Sequence, residues 1–179
     1  GRLITTTDGQ RAVAVSRGRA QFSVVDLKSG AVQTHKIGYT GRRGTQICGL
    51  GKASDGSIYG TNIIGMHIFR HDPQTGQTHD LGHVGWGGSE VYNVIEVGEK
   101  IFFGTYGYGL WGVYDPKKPW NPDFKTAGTA ADANPRKLGQ LGNDDDPDAS
   151  NRPFEYTVGP QGRIWIASRA FYGHPGGSL

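Results

Sequence analysis

The chain has 179 residues with 30 glycines, 9 prolines, 35% hydrophobic residues and a formal net charge of +3. No long window carries apolar residues at helical spacing, so a helical domain is excluded and many short strands joined by turns are expected. Basic residues such as Arg11, Arg17, Arg19, Arg42, Arg43, Lys117 and Lys118 are scattered, with no stripe to track phosphates, so a nucleic-acid partner is not expected. No transmembrane run and no signal peptide is visible, and no membrane partner is expected. The single Cys48 lies in the apolar run 46–50; it makes no internal disulfide and reads as a small buried hydrophobe.

In chain order, the first unit has a short inner strand at 3–6, a turn centred on Gly9, a strand at 12–15, the loop SRGRA at 16–20 and an alternating strand at 21–25. The second begins near Gly44, with its inner strand at 46–50, the turn at Asp55-Gly56, strands at 58–61 and 67–71, and a loop from Asn62 to Met66 between them. The third has strands at 91–97, 101–105 and 110–114 and the loop YGYG at 106–109. A Pro- and Asn-rich insertion at 117–135 follows and reads as a surface loop, before a fourth strand at 136–141. The last unit, with strands at 153–158 and 163–168, ends without a third or fourth strand. Asp-led turns at Asp26, Asp72 and Asp115 are spaced by 46 and 43 residues, the period of propeller blades. The expected fold is all-β: a β-propeller of four-stranded antiparallel blades, about three and a half of them present, over 1–43, 44–89, 90–150 and 151–179. A ring needs more, so the chain reads as a piece of a larger one, with the missing blades of its parent as a partner.

In an up-and-down blade, the first-to-second and third-to-fourth turns share one face of the ring. The second-to-third loops and the blade linkers share the other. The first set is tight and conventional (DG, PQG, DPQTG). The second carries Asn62, His83, Trp86, Tyr106, Tyr108, Arg152, Arg169, Tyr172 and His174, with Tyr92 just beyond a linker, and is the expected functional face. Aromatics interleaved with Asn, Arg and His suit a polysaccharide or oligosaccharide, because rings stack on sugar faces while polar groups take hydroxyls or a carboxylate. Asn62, Trp86, Tyr106, Tyr108, Arg152, Arg169 and Tyr172 are the candidate sugar contacts. Trp86, among four glycines, is either a lid over the blade end or a stacking surface.

His83, Tyr92 and His174 are candidate acids and bases, with Arg152 or Arg169 neutralising a carboxylate. That set is what β-elimination from a uronate requires, because the enolate must be stabilised. The acidic segment with Asp144, Asp146, Asp148 and Glu155 has the spacing of a calcium loop, but Ala149 replaces the turn glycine and Pro147 intrudes; it reads as a solvated loop, and neither metal nor cofactor is expected.

The strings DGSIY, FRHDPQTG and LG, with NRPF and VGPQGRIWI later, resemble bacterial propellers of the streptogramin-lyase-like and two-component-regulator type. Related rings occur among polysaccharide lyases and glycosidases acting on rhamnose and uronate glycans. The resemblance implies a polysaccharide lyase or a glycoside hydrolase, secreted or periplasmic if it acts on glycans. The alternative is a non-catalytic module binding a glycan or a protein. WD repeats fit less well, since His71-Asp72 and Tyr114-Asp115 stand where Trp-Asp is usual. Convergence of the His and Tyr side chains on the channel mouth, or their dispersal round the rim, separates the two functions.

Overall fold

The computed structural model describes residues 3–15, 21–37, 46–141 and 151–179. Three four-stranded antiparallel sheets follow one another in chain order. The first comprises β1 (Leu3–Thr5), β2 (Arg11–Val15), β3 (Gln21–Asp26) and β4 (Val32–Lys36). The second comprises β5 (Gln46–Lys52), β6 (Ile58–Ile63), β7 (His67–His71) and β8 (Thr78–His83), and the third β9 (Val91–Val97), β10 (Lys100–Thr105), β11 (Leu110–Tyr114) and β12 (Arg136–Gln140). A fourth sheet holds β13 (Arg152–Val158), β14 (Ile164–Arg169) and β15 (Gly177–Ser178). The expected absence of a third strand there is corrected: β15 pairs with the end of β14, Ser168 opposite Ser178 and Arg169 opposite Gly177. Among the described residues, no helix is long and apolar enough to cross a membrane.

Each sheet is a meander whose first strand lies innermost, and the inner strands β1, β5, β9 and β13 pack side by side. The core therefore lies between sheets. One cluster, with Val13, Phe22, Ile47, Leu50, Ile58 and Phe69, joins blades 1 and 2; another, with Tyr59, Ile68, Trp86, Val91, Ile101 and Phe103, joins blades 2 and 3. Neighbours on both sides explain why β6 is buried on both faces, whereas along β14 half-buried and exposed residues alternate. This is the nearest-neighbour logic of a repeat array.

Two glycines set the spacing of the inner strands. A Cβ at Gly49 would collide with the Tyr92 carbonyl and the Asn93 backbone, and one at Gly51 with the Val94 carbonyl. Side chains at these positions would push the strands apart, a backbone clash that no rotamer change relieves. Into this contact Thr61 is inserted: its Oγ1 accepts from Gly49 N at 3.0 Å and donates to the Tyr92 carbonyl at 2.6 Å.

The insertion is not a bare surface loop. Asn134 Oδ1 accepts from Asp115 N at 2.8 Å, and its Nδ2 donates to the carbonyls of Asp115, Lys118 and Pro119. Asp123 accepts from the backbone N–H groups of Lys125, Thr126 and Ala130. The fold so ordered lays Trp120 5.0 Å from Tyr114 and against Gly82, and Phe124 5.4 Å from His83. It is a strap across the outer rim of blades 2 and 3.

At the first blade boundary His71 is fully buried, 4.4 Å from the Phe22 ring and 4.7 Å from the His35 ring. Its Nδ1 shares a 3.0 Å hydrogen bond with Thr78 Oγ1, and Nε2 has no partner among the described residues. Burial, with His35 adding, lowers its pKa from 6.5 to about 4. The neutral ring is then favoured by folding. Its contribution is full above pH 6.5 and is lost as pH falls towards about 4, a change of about 3 kcal/mol. Urea midpoints taken from pH 7 down to pH 4 are expected to fall more steeply for the wild type than for His71→Leu; parallel curves would show that another group governs acid stability. Gly49→Ala is expected to cost about 2 kcal/mol in the same assay through overpacking.

Candidate functional site

The division of loops between two faces is visible in the hydrogen bonds. Gly88 N donates to the Tyr106 carbonyl at 2.7 Å and Tyr106 N to the Glu90 carbonyl at 2.9 Å, tying the linker before β9 to the loop between β10 and β11. Gly109 N donates to the Asn151 carbonyl at 2.9 Å, tying the same loop to the residue before β13. That loop turns through three left-handed residues, Gly107, Tyr108 and Gly109, with φ of 86°, 64° and 60°. Tyr108 pays for this conformation and is left half-exposed at the blade 3–4 boundary.

Beside it stands the most organised cluster of the face. Arg152, the first residue of β13, holds its guanidinium carbon 3.6 Å from the Tyr172 ring centroid and 5.3 Å from that of Tyr106. Its Nε and Nη2 are buried and make no hydrogen bond among the described residues. Arg169 is paired opposite Arg152 across β13 and β14, and its guanidinium lies 5.2 Å from the Phe154 ring. The register of β13 shifts between Pro153 and Glu155, a bulge at Phe154, whose ring is 4.5 Å from that of Tyr92. Tyr92 donates to Glu90 Oε2 at 2.5 Å, and Asn93 Nδ2 to Glu155 Oε2 at 2.9 Å. Rings, cations and carboxylates thus line the boundary between blades 3 and 4.

Of the residues expected on this face, Tyr92, Tyr106, Arg152, Arg169 and Tyr172 come together, with Tyr108 at the edge. The others do not join them. Asn62 belongs to β6 rather than to a loop; it is buried, and its Oδ1 accepts from His67 N at 2.9 Å. Trp86 is a lid and not a stacking surface: it is 4% exposed, stacked 5.4 Å from Phe103 and packed against Gly112 and Gly128. His83 ends the outer strand β8, where its Nδ1 accepts from Gly85 N at 2.9 Å under Phe124. Burial and then His67 lower its pKa. His174 is exposed in the loop between β14 and β15 of blade 4, two blades from His83.

Tyr92 is no ready base either, because burial and the Glu90 hydrogen bond push its hydroxyl well above the usual tyrosine range. Cys48, expected as a small buried hydrophobe, is half-buried, and burial, then Glu90 and Glu155, push its thiol up to about 12. The acidic segment with calcium-loop spacing, read as a solvated loop, lies, apart from Glu155, outside the described residues, as does the loop at 16–20. Among the described residues, no group of three or more His, Cys, Asp or Glu side chains is placed to hold a metal ion. Phe154 was missed by the loop argument, since it lies inside a strand; its string NRPF was the only sign of it.

Taken together, the sheets, their inner strands and the two loop faces define a β-propeller. The solved structures agree. The chain matches a streptogramin B lyase structure with a TM-score of 0.68 and 14% identity, covering 94% of this chain and 47% of that one. It matches virginiamycin B lyase from Staphylococcus aureus with a TM-score of 0.66 and 13% identity, over 92% and 47%. RRP9 WD40 repeats match with a TM-score of 0.57 and 14% identity, over 98% and 51%. The chain therefore spans about half the length of these structures. No family model and no curated protein matches it.

Removing a buried lid and removing a ligand platform have different signatures. Trp86→Ala is expected to lower stability by about 4 kcal/mol, read from chemical denaturation, while Tyr172→Ala, at a 66% exposed ring, leaves the midpoint nearly unchanged.

Proposed function

We propose that this chain supplies the ligand-bearing blades of a propeller that recognises an acidic glycan, and that the site binds rather than cleaves. The observation that carries the reading is Arg152, whose guanidinium is stacked on Tyr172 and Tyr106 while Nε and Nη2 have no partner among the described residues. A planar fork with free donors is matched to a carboxylate, and the flanking tyrosines offer faces to sugar rings. Tyr172 covers the guanidinium from an exposed loop, so its ring moves aside as the ligand enters.

The elimination chemistry expected from a uronate lyase lacks support. A base must stand within hydrogen-bond reach of the proton it removes, yet His83 lies on the outer rim of blade 2, His174 in a loop of blade 4, and Tyr92 holds its proton against Glu90. Likeness to lyases at 13–14% identity carries the fold and no chemistry.

Calorimetry with oligogalacturonate and with a neutral galactose oligomer tests this. The acidic oligomer is expected to bind at least ten times more tightly, with Arg152→Lys removing the difference. No binding of either would reject glycan recognition. A rising absorbance of unsaturated uronate, lost in His83→Ala or His174→Ala, would reinstate the lyase.

A further inference from the structure

Arg152 and Arg169 stand directly opposite each other across β13 and β14, and side chains at such positions project from the same face of a sheet. Two cations are thus set side by side. Like charges so placed repel, and neither arginine forms an ion pair among the described residues, where the ion pairs are His67 with Asp80, Arg70 with Asp55 and Lys117 with Glu99. The carboxylates of the same boundary are engaged by other donors, Glu90 by the Tyr92 hydroxyl and Glu155 by Asn93 Nδ2.

Both positions are fixed by the backbone. Asn151 N donates to the Arg169 carbonyl at 2.7 Å, and on its other side Arg169 pairs with Gly177 of β15. The guanidinium groups rest on different rings, Arg152 on Tyr172 and Tyr106, and Arg169 on Phe154. A ring contact uses the face of a guanidinium and leaves its N–H edge for an acceptor.

We propose that this pair reads two consecutive acidic units of one glycan chain, Arg152 taking the first carboxylate and Arg169 the second. The inference rests on the acidic-glycan reading above and narrows it from an acidic sugar to a run of uronates. Separate rings hold the two cations, so each meets its own anion, which sets the ligand apart from a single dianion such as phosphate. Two carboxylates also relieve the repulsion between the cations. Arg152 is half-buried and Arg169 exposed. The first anchors the chain, and the second, screened by water, adds about fivefold in affinity.

Calorimetry with digalacturonate, its single methyl ester and inorganic phosphate is the test, since the ester keeps both sugar rings and removes one charge. Digalacturonate is expected to bind about fivefold more tightly than the ester. That gap closes in Arg169→Gln, while Arg152→Gln weakens both ligands about tenfold. The ester comparison needs no variant and so does not depend on the folding of one. Equal affinity for diacid and ester, a gap that survives Arg169→Gln, or tighter binding of phosphate would each overturn the two-anion pairing, while binding of the ester leaves the broader acidic-glycan reading in place. No binding of either digalacturonate or its ester would reject both.

Discussion

Backbone contact between neighbouring inner strands is the constraint on which everything else here rests. β5 lies against β9 because Gly49 and Gly51 present no Cβ to the carbonyls of Tyr92 and Val94. The same device recurs where β10 meets β13, with Gly104 facing the Tyr156 hydroxyl and Pro153. Once the strands are this close, polar groups at the boundary must be satisfied between blades or left unpaired. Thr61 is satisfied across the gap by Tyr92, and Asn93 by Glu155. The Tyr156 hydroxyl is not, and burial alone raises its pKa. The Arg152 cluster depends on this spacing, since Tyr106 and Arg152 belong to different blades and meet only because the blades do.

The blades were legible because their punctuation is local. Asp72-Pro73-Gln74-Thr75-Gly76 spells a turn through an aspartate that caps Gln74 and Thr75 and a glycine at φ 73°. Alternation in 21–25 reappears as alternating burial in β3. What could not be read was which side chain a loop residue finds as its neighbour. Trp86 among glycines looks solvent-facing from its own stretch; the residues that bury it, Phe103, Gly112 and Gly128, come from a sheet and an insertion further along the chain. His83 likewise sits on the expected linker, yet its strand is the outermost of four. Sequence position places a residue on a face of the ring but says little about its radius, and radius separates a channel group from a rim group.

That distinction bears on chemistry. The inner positions hold a tyrosine bound to a glutamate and a thiol between two carboxylates, groups whose environments suppress ionisation. The arginines one step outward are charged, planar and braced by rings, an arrangement that holds their geometry.

The strap formed by residues 115–135 leads elsewhere. Because Trp120 and Phe124 reach from blade 3 onto the outer strand of blade 2, these two blades are joined at both the axis and the circumference. Blades 1 and 2 also meet away from the axis, where His35 of β4 lies 4.7 Å from the His71 ring and Arg11 Nη1 donates to the Pro73 carbonyl. Repeat arrays lose structure at their weakest boundary first, and the strap gives the blade 2–3 boundary contacts at a second radius.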